Sequence, residues 1–345
     1  MKIIPCSTLL HFLVVCALSS FLFINPGTGS AHWTPLKDTG VQKCYNDKDV
    51  TPIPCPSTGE PFYGQDASYS GAEASFTDLN DGTIVLDNTT RLMWEKTGDI
   101  WSKKWEQAQA YCSDLDLGGY TDWRLPEIWE LTSIRDYATT EIASAIYPNF
   151  VLQNGAYWSV TEYAEDSTQA WNITYQVHIF ENPADKSKDY KVRCVRGTSS
   201  YHNFTANNDQ TVTDNLTGLV WQQSDNGIEY GWKDALEYCE NLTLANRSDW
   251  RLPNLRELKS IISYSHAMPA VDPTFQLRPD FYHCSTKDPL YPDQLWLLRF
   301  TTGVTHGGSS NHTDYVVCVA GESTVSKKPV GINSGILMLL LSGNN

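Results

Sequence analysis

Arg124 and Arg251 occupy the same place in a repeated five-residue string, where a planar guanidinium could grip a carboxylate or another anion with two hydrogen bonds. The strings are Asp122-Trp123-Arg124-Leu125-Pro126 and Asp249-Trp250-Arg251-Leu252-Pro253, 127 positions apart. The other reading is structural: each arginine pairs with a carboxylate of its own repeat, Glu130 or Glu257. The structural reading is preferred, because residues kept in both halves of a duplication track the fold rather than one ligand.

Asp78, Asn80, Asp81 and Asp87 place oxygen ligands at the short spacing that calcium uses. The spacing is one residue tighter than the usual loop, and the second half has Gln210 where the first has Gly82. A hairpin turn is the competing reading, and no cofactor other than calcium is implied. Cys284 beside His283 could supply a nucleophile and its base. Neighbours on a strand point to opposite faces, which works against such a pair. Zinc is disfavoured, since no Cys-x-x-Cys occurs and histidines do not cluster at ligand spacing. The 12 tryptophans could stack on sugar faces, but Trp94/Trp221, Trp105/Trp232 and Trp123/Trp250 recur between the halves and read as core. Trp33, Trp101 and Trp129 have no counterpart and are the surface candidates.

The elements that hold these residues come twice. Around each string, Leu92, Trp94, Trp105, Ala108, Tyr111, Cys112, Leu115 and Glu130-Leu131 return 127 positions later. A repeat this long is a duplicated domain, not a solenoid of short units. Residues 76–197 form the first copy and 198–321 the second, with 198–203 as the join. Residues 32–75 read as an irregular N-terminal extension, and 322–345 as a C-terminal tail. Each copy opens with a strand, a turn and a strand. Trp105, Ala108, Cys112 and Leu115 lie on one face of a first helix, as do Trp232, Ala235, Cys239 and Leu242. Pro126 and Pro253 are placed in the first turn of a second helix, where a missing N–H costs nothing. Its apolar face is Ile128, Leu131 and Ile134, or Leu255, Leu258, Ile261 and Ile262. Strands close each copy, so the fold class is α+β with two helices and a small, mostly antiparallel sheet per domain.

Residues 1–31 read as a secretory signal, with Lys2, an apolar run from Leu9 to Ile24 and a small-residue cleavage site at Gly29-Ser30-Ala31. A membrane anchor or a lipid on Cys16 is the weaker reading. The tail's apolar run, Gly335 to Leu341, is far short of the roughly 20 residues a span requires. The chain is therefore placed outside the cytoplasm, in the periplasm, at the cell surface or secreted, and is not integral to the membrane after cleavage. Export makes paired cysteines disulfides. The repeat pairs Cys112 with Cys194 and Cys239 with Cys318, a staple within each copy; Cys44 and Cys55 pair locally and Cys284 is left over. Beyond the signal the chain has 24 basic and 40 acidic residues, a net charge of −16. Such a surface repels nucleic acid, anionic lipid and sulfated polysaccharide, and suits neutral sugars, cationic partners or divalent ions. The densest basic stretch is Lys186, Lys188, Lys191, Arg193 and Arg196, without an equivalent in copy two.

Asn88 to Trp94, Trp123 to Pro126, Tyr157 to Ser159 and Val192 to Gly197, with Asn215 to Trp221 and Trp250 to Pro253, together resemble the bacterial family of the C-terminal domain of Lcl, the collagen-like adhesin of Legionella. Copy two departs at Tyr282 to Ser285 and at Val316 to Gly321, where both arginines are replaced. The resemblance implies two tandem C-type-lectin-like domains, distantly similar to formylglycine-generating enzymes. It implies binding or adhesion at the envelope, with a carbohydrate or a cell-envelope protein as partner and no nucleic acid. A distant relative of the formylglycine-generating enzymes and a purely structural envelope component are the alternatives.

Overall fold

The computed structural model describes residues 36–47, 50–141, 144–176, 181–198, 201, 203–309 and 311–321. The signal segment, Trp33 and the tail with its apolar run lie outside those residues.

Each copy starts as an antiparallel hairpin whose turn takes positive φ at Asn80, Asp81 and Gly82 in copy one, and at Asn208 and Gln210 in copy two. A third strand, Met93–Glu95 or Val220–Gln222, extends the hairpin and then pairs with the strand that closes the copy, Val195–Arg196 or Val319–Ala320. The two ends of each copy are thereby hydrogen-bonded together. Between them lie two short helices. In copy one these are α1 (Trp105–Ser113) and α2 (Ile128–Ser133); in copy two, α3 (Trp232–Glu240) and α4 (Leu255–Ser260).

The apolar spacing of α1 buries Trp105, Ala108 and Cys112 on one face, and α3 buries Trp232, Ala235, Leu236 and Cys239. Each helix is bonded to its closing segment, Cys112–Cys194 and Cys239–Cys318, with Cα–Cα distances of 5.5 Å in both. A third bond joins Cys44 to Cys55, and Cys284 is a buried free thiol. The second sheet of copy one runs through Asp99–Lys103, Tyr190–Val192, Ala156–Tyr163, Asp166–Thr174 and Glu181–Asp185. That of copy two has Phe281–Lys287, Gln294–Arg299 and Val304–Ser309. Among the described residues, four short α-helices on several small sheets make the fold α+β.

Pro126 and Pro253 are not in the first helical turn. They stand one residue ahead of the caps Glu127 and Asn254, whose backbones are extended. The cap N–H is already bound by the carboxylate of Glu130 (2.8 Å) or Glu257 (2.9 Å), so the helix starts after the proline rather than on it. The displacement is the same in both copies.

The two copies share one core. Trp94, Leu131, Tyr157 and Trp171 of the first pack in a single cluster with Trp221, Leu258, Tyr264 and Trp296 of the second. The Trp171 and Tyr264 rings meet edge to face at 5.1 Å. Lys259 of copy two reaches Glu181 of copy one at 2.9 Å, with both side chains buried. Arg256 donates across the same boundary to the Arg135 carbonyl and to the Tyr147 hydroxyl. The extension is a strap across both copies. Lys37 pairs with buried Asp87 of copy one at 2.5 Å, and the Asp66–Ser68 turn lies against copy two.

Candidate functional site: a cleft open in one copy and closed in the other

The repeated string builds the same core device twice. Arg124 donates two hydrogen bonds to Glu130, at 2.7 and 2.6 Å, and Arg251 donates two to Glu257 at the same distances. Each glutamate is almost wholly buried and also caps its helix. The Glu130 hydrogen bonds raise the Arg124 guanidinium above its ordinary value. For Arg251 burial acts to lower it, and Glu257 outweighs burial so that the net shift is upward. Both forks are occupied from within, which leaves no free pair of donors for an external anion.

The surroundings correspond bond for bond. Trp105 donates to the Ser159 carbonyl as Trp232 does to that of Cys284. The first amide of α2 donates to Thr161 as that of α4 does to Thr286. Val160 and Ser285 both donate from the backbone to the carbonyl of the motif proline.

The solvent side differs. In copy two the strap fills the site. Tyr69 lies over Arg251, with the ring centroid 5.2 Å from the guanidinium carbon, and its hydroxyl donates to Glu240. The Asp66 carboxylate accepts from Thr286 at 2.7 Å and from Thr39 at 2.6 Å. Phe62 packs against Trp232 at 6.2 Å. Gly64 comes so close to Glu240 that a Cβ there would lie 2.8 Å from the carboxylate. About 110 Å³ of space remains beside Arg251. In copy one the corresponding cleft holds about 710 Å³ and is lined by Gln109, Ser113, Arg124, Glu127, Trp129 and Tyr201 among others. The Arg124 side chain is 38% exposed, against 10% for Arg251. Among the described residues, no ring covers the Arg124 guanidinium as Tyr69 covers that of Arg251.

A family model, the Lcl C-terminal domain, matches residues 83–196 and again 210–320. The chain belongs to the Lcl C-terminal domain family. No curated relative matches the sequence.

The two Lcl domains enclose a second space between them, a cavity of about 330 Å³ that shares Trp129, Thr198 and Tyr201 with the open cleft. Trp129 and Tyr201 stack face to face at 4.6 Å and form the common wall. Of the three tryptophans proposed for the surface, Trp129 is this half-buried wall and Trp101 is 71% exposed. The cations around the cavity are held by the protein: Lys37 by Asp87, Lys259 by Glu181 and Thr305, and Arg256 by two carbonyls and Tyr147. This inter-domain network was not anticipated. Its residues, Arg256 and Lys259, stand where copy one has Trp129 and Thr132, so the repeat comparison carried no signal for it.

The other candidate groups are dispersed. Asp78 pairs with Lys96 on the surface, whereas Asp87 is buried and holds Lys37. Asn80 and Asp81 form the hairpin turn. Among the described residues no group of three or more His, Cys, Asp or Glu side chains could hold a metal. Burial pushes the Cys284 thiol up to about 12 and lowers His283 to about 4. Cys284 donates to the Trp296 carbonyl, while His283 turns to the Tyr230 carbonyl, so thiol and imidazole do not meet. The basic stretch is not a patch. Arg193 is fully buried and donates to the Glu95, Lys96 and Val151 carbonyls. Arg196 is bound to Asp122, Lys186 to Glu162, and Lys191 to the Ile100 carbonyl. Among the described residues no helix is long and apolar enough to cross a membrane.

Proposed function

We propose that this chain is an exported, non-enzymatic binding protein of the bacterial envelope, made of two C-type-lectin-like domains of which the first carries the ligand seat. The observation that carries the reading is the contrast between the two clefts: the strap closes the one beside Arg251 and leaves the one beside Arg124 open, walled by Trp129 and Tyr201. The pairing of each copy's opening and closing strands, and the helix-to-closing-segment disulfide, support the lectin-like assignment. The cleft contains aromatic and polar side chains, which suits a neutral glycan or the surface of an envelope protein. The nucleophile offered for the enzyme reading, Cys284, is buried with its thiol pushed up to about 12, which disfavours that reading. The test is an array of glycans, polysaccharides and envelope proteins, probed with and without calcium, using the wild-type chain and Trp129→Ala. A ligand whose binding falls with Trp129→Ala is expected. An array with no hits, or hits indifferent to Trp129, would overturn the assignment of the seat.

A further inference from the structure

We infer that the open cleft of copy one takes a turn-rich polypeptide segment that lays a tyrosine ring over Arg124 and carries no acidic side chain next to that ring. The inference rests on the cleft being the ligand seat and adds what sits in it. The chain itself shows what this cleft accepts: in copy two the occupant is a turn-rich stretch, with backbone turns closed at Ser57–Glu60, Glu60–Tyr63 and Gln65–Ser68. Its tyrosine covers the motif arginine and its glycine backbone approaches Glu240 closely. The backbone frame beneath is the same in copy one, because the Thr161, Pro126 and Trp105 hydrogen bonds repeat those of Thr286, Pro253 and Trp232. Arg124 is held flat by Glu130 and exposes the face that Arg251 presents to Tyr69. A guanidinium so held is a surface for an aromatic ring.

The differences between the copies set the chemistry of the occupant. In copy two the Thr286 hydroxyl is bound to the carboxylate of Asp66 from the strap. In copy one Thr161 already donates to the carboxylate of Glu127, at 2.5 Å. An acidic residue at the Asp66 position of an incoming segment would meet Glu127, and a basic one would pair with it. The apolar seat is also gone. Leu236, buried in the Phe62 cluster, is replaced by half-exposed Gln109. Glu240, the acceptor for the tyrosine hydroxyl, is replaced by exposed Ser113. The occupant is therefore a neutral or basic segment with a tyrosine and without a Phe62-like anchor, which also agrees with a chain whose net charge is strongly negative.

The experiment uses the full chain and synthetic peptides of its own strap from Glu60 to Ala72, titrated by calorimetry. One peptide is unchanged, one carries Asp66→Lys, and one carries both Asp66→Lys and Tyr69→Ala. The Asp66→Lys peptide should bind at least about tenfold more tightly than the unchanged one, about 1.4 kcal/mol. The double variant should lose binding. Because Trp129→Ala could disturb packing, the deciding protein variant is Ser113→Glu at an exposed helical position, which restores the acceptor that Glu240 provides. It should tighten the Asp66→Lys peptide several-fold and leave the Tyr69→Ala form unbound. Peptide binding indifferent to Ser113→Glu and to Tyr69 would overturn the inference. So would an absence of peptide binding, and if a glycan hit that depends on Trp129 were found alongside it, the cleft would stand as the seat and only its polypeptide occupant would fail.

Discussion

Asp66 carries a carboxylate that burial and the nearby Asp38 push up to about 7, with the Thr39 and Thr286 hydrogen bonds pulling the other way. An aspartate in the unfolded chain loses its proton near 3.8, so between these values the folded chain binds more protons. The stability tied to this group is full below about 3.8 and is lost as pH rises through about 7. Asp66→Asn should therefore gain on the wild type as pH rises from 5 to 8 in urea unfolding, and a difference that stays flat with pH would contradict the assignment. His283 has the opposite sign, lowered from 6.5 to about 4, and cancels in that comparison because both proteins contain it. Arg251→Ala should cost about 3–5 kcal/mol, the usual penalty for leaving a buried charge without its partner. Arg124→Ala should cost clearly less, because the Arg124 side chain borders solvent and its removal lets water reach the Glu130 left behind, whereas Glu257 would stay under the strap. Equal denaturation midpoints for the two variants would argue against the cover over copy two. The pairing of Arg124 with Glu130 was legible in the sequence because the six-residue spacing occurs twice. The cover was not, although one signal was there: Leu236 is an apolar residue on a helical surface where its counterpart is Gln109. Arg193 counts toward the basic stretch in the sequence, yet it is buried on backbone carbonyls, which leave no trace in a charge pattern.

The helices illustrate how far spacing alone reaches. The 3, 4 pattern of Trp105, Ala108 and Cys112 fixes the buried face of α1, and the disulfide then ties that face to the closing segment. Opening either long disulfide with paired Cys→Ser changes should destabilise the protein by about 4 kcal/mol in the chain-entropy model. Thermal melts of the Cys112/Cys194 and Cys239/Cys318 double variants measure this, and an unchanged midpoint in either would show that the staple is redundant. The start of α2 and α4 was less legible by two residues. Proline tolerates both the first helical turn and the extended residue before a cap, and only the return of Glu130 or Glu257 to the cap amide decides between them. Asn254 strengthens its cap by accepting from the Glu257 amide at 2.9 Å, so Asn254→Ala should cost about 1 kcal/mol.

Duplication produced two copies that share one core and carry unequal clefts. The constant offset made the two copies legible, but not the core they share: Lys259 stands where copy one has Thr132, and the ring contact of Trp171 with Tyr264 uses residues that each copy has, so a comparison of the copies cannot tell an inter-domain contact from one within a domain. A shared core predicts one cooperative unfolding transition in calorimetry, with two separate transitions contradicting it. The acidic chain, with four of the five cations of its basic stretch bound internally, should not be retained on heparin at physiological salt. The duplicated site takes its asymmetry from the strap, whose Tyr69 covers the cleft of copy two and not that of copy one, the one proposed to take a ligand. Amide hydrogen exchange with and without the tightest ligand from the array tests that division most directly. The account predicts protection in α1, α2 and the segment around Tyr201, with Tyr69, Arg251 and α4 unchanged. Protection centred on the strap and Arg251, with α1 and α2 unaffected, would contradict it.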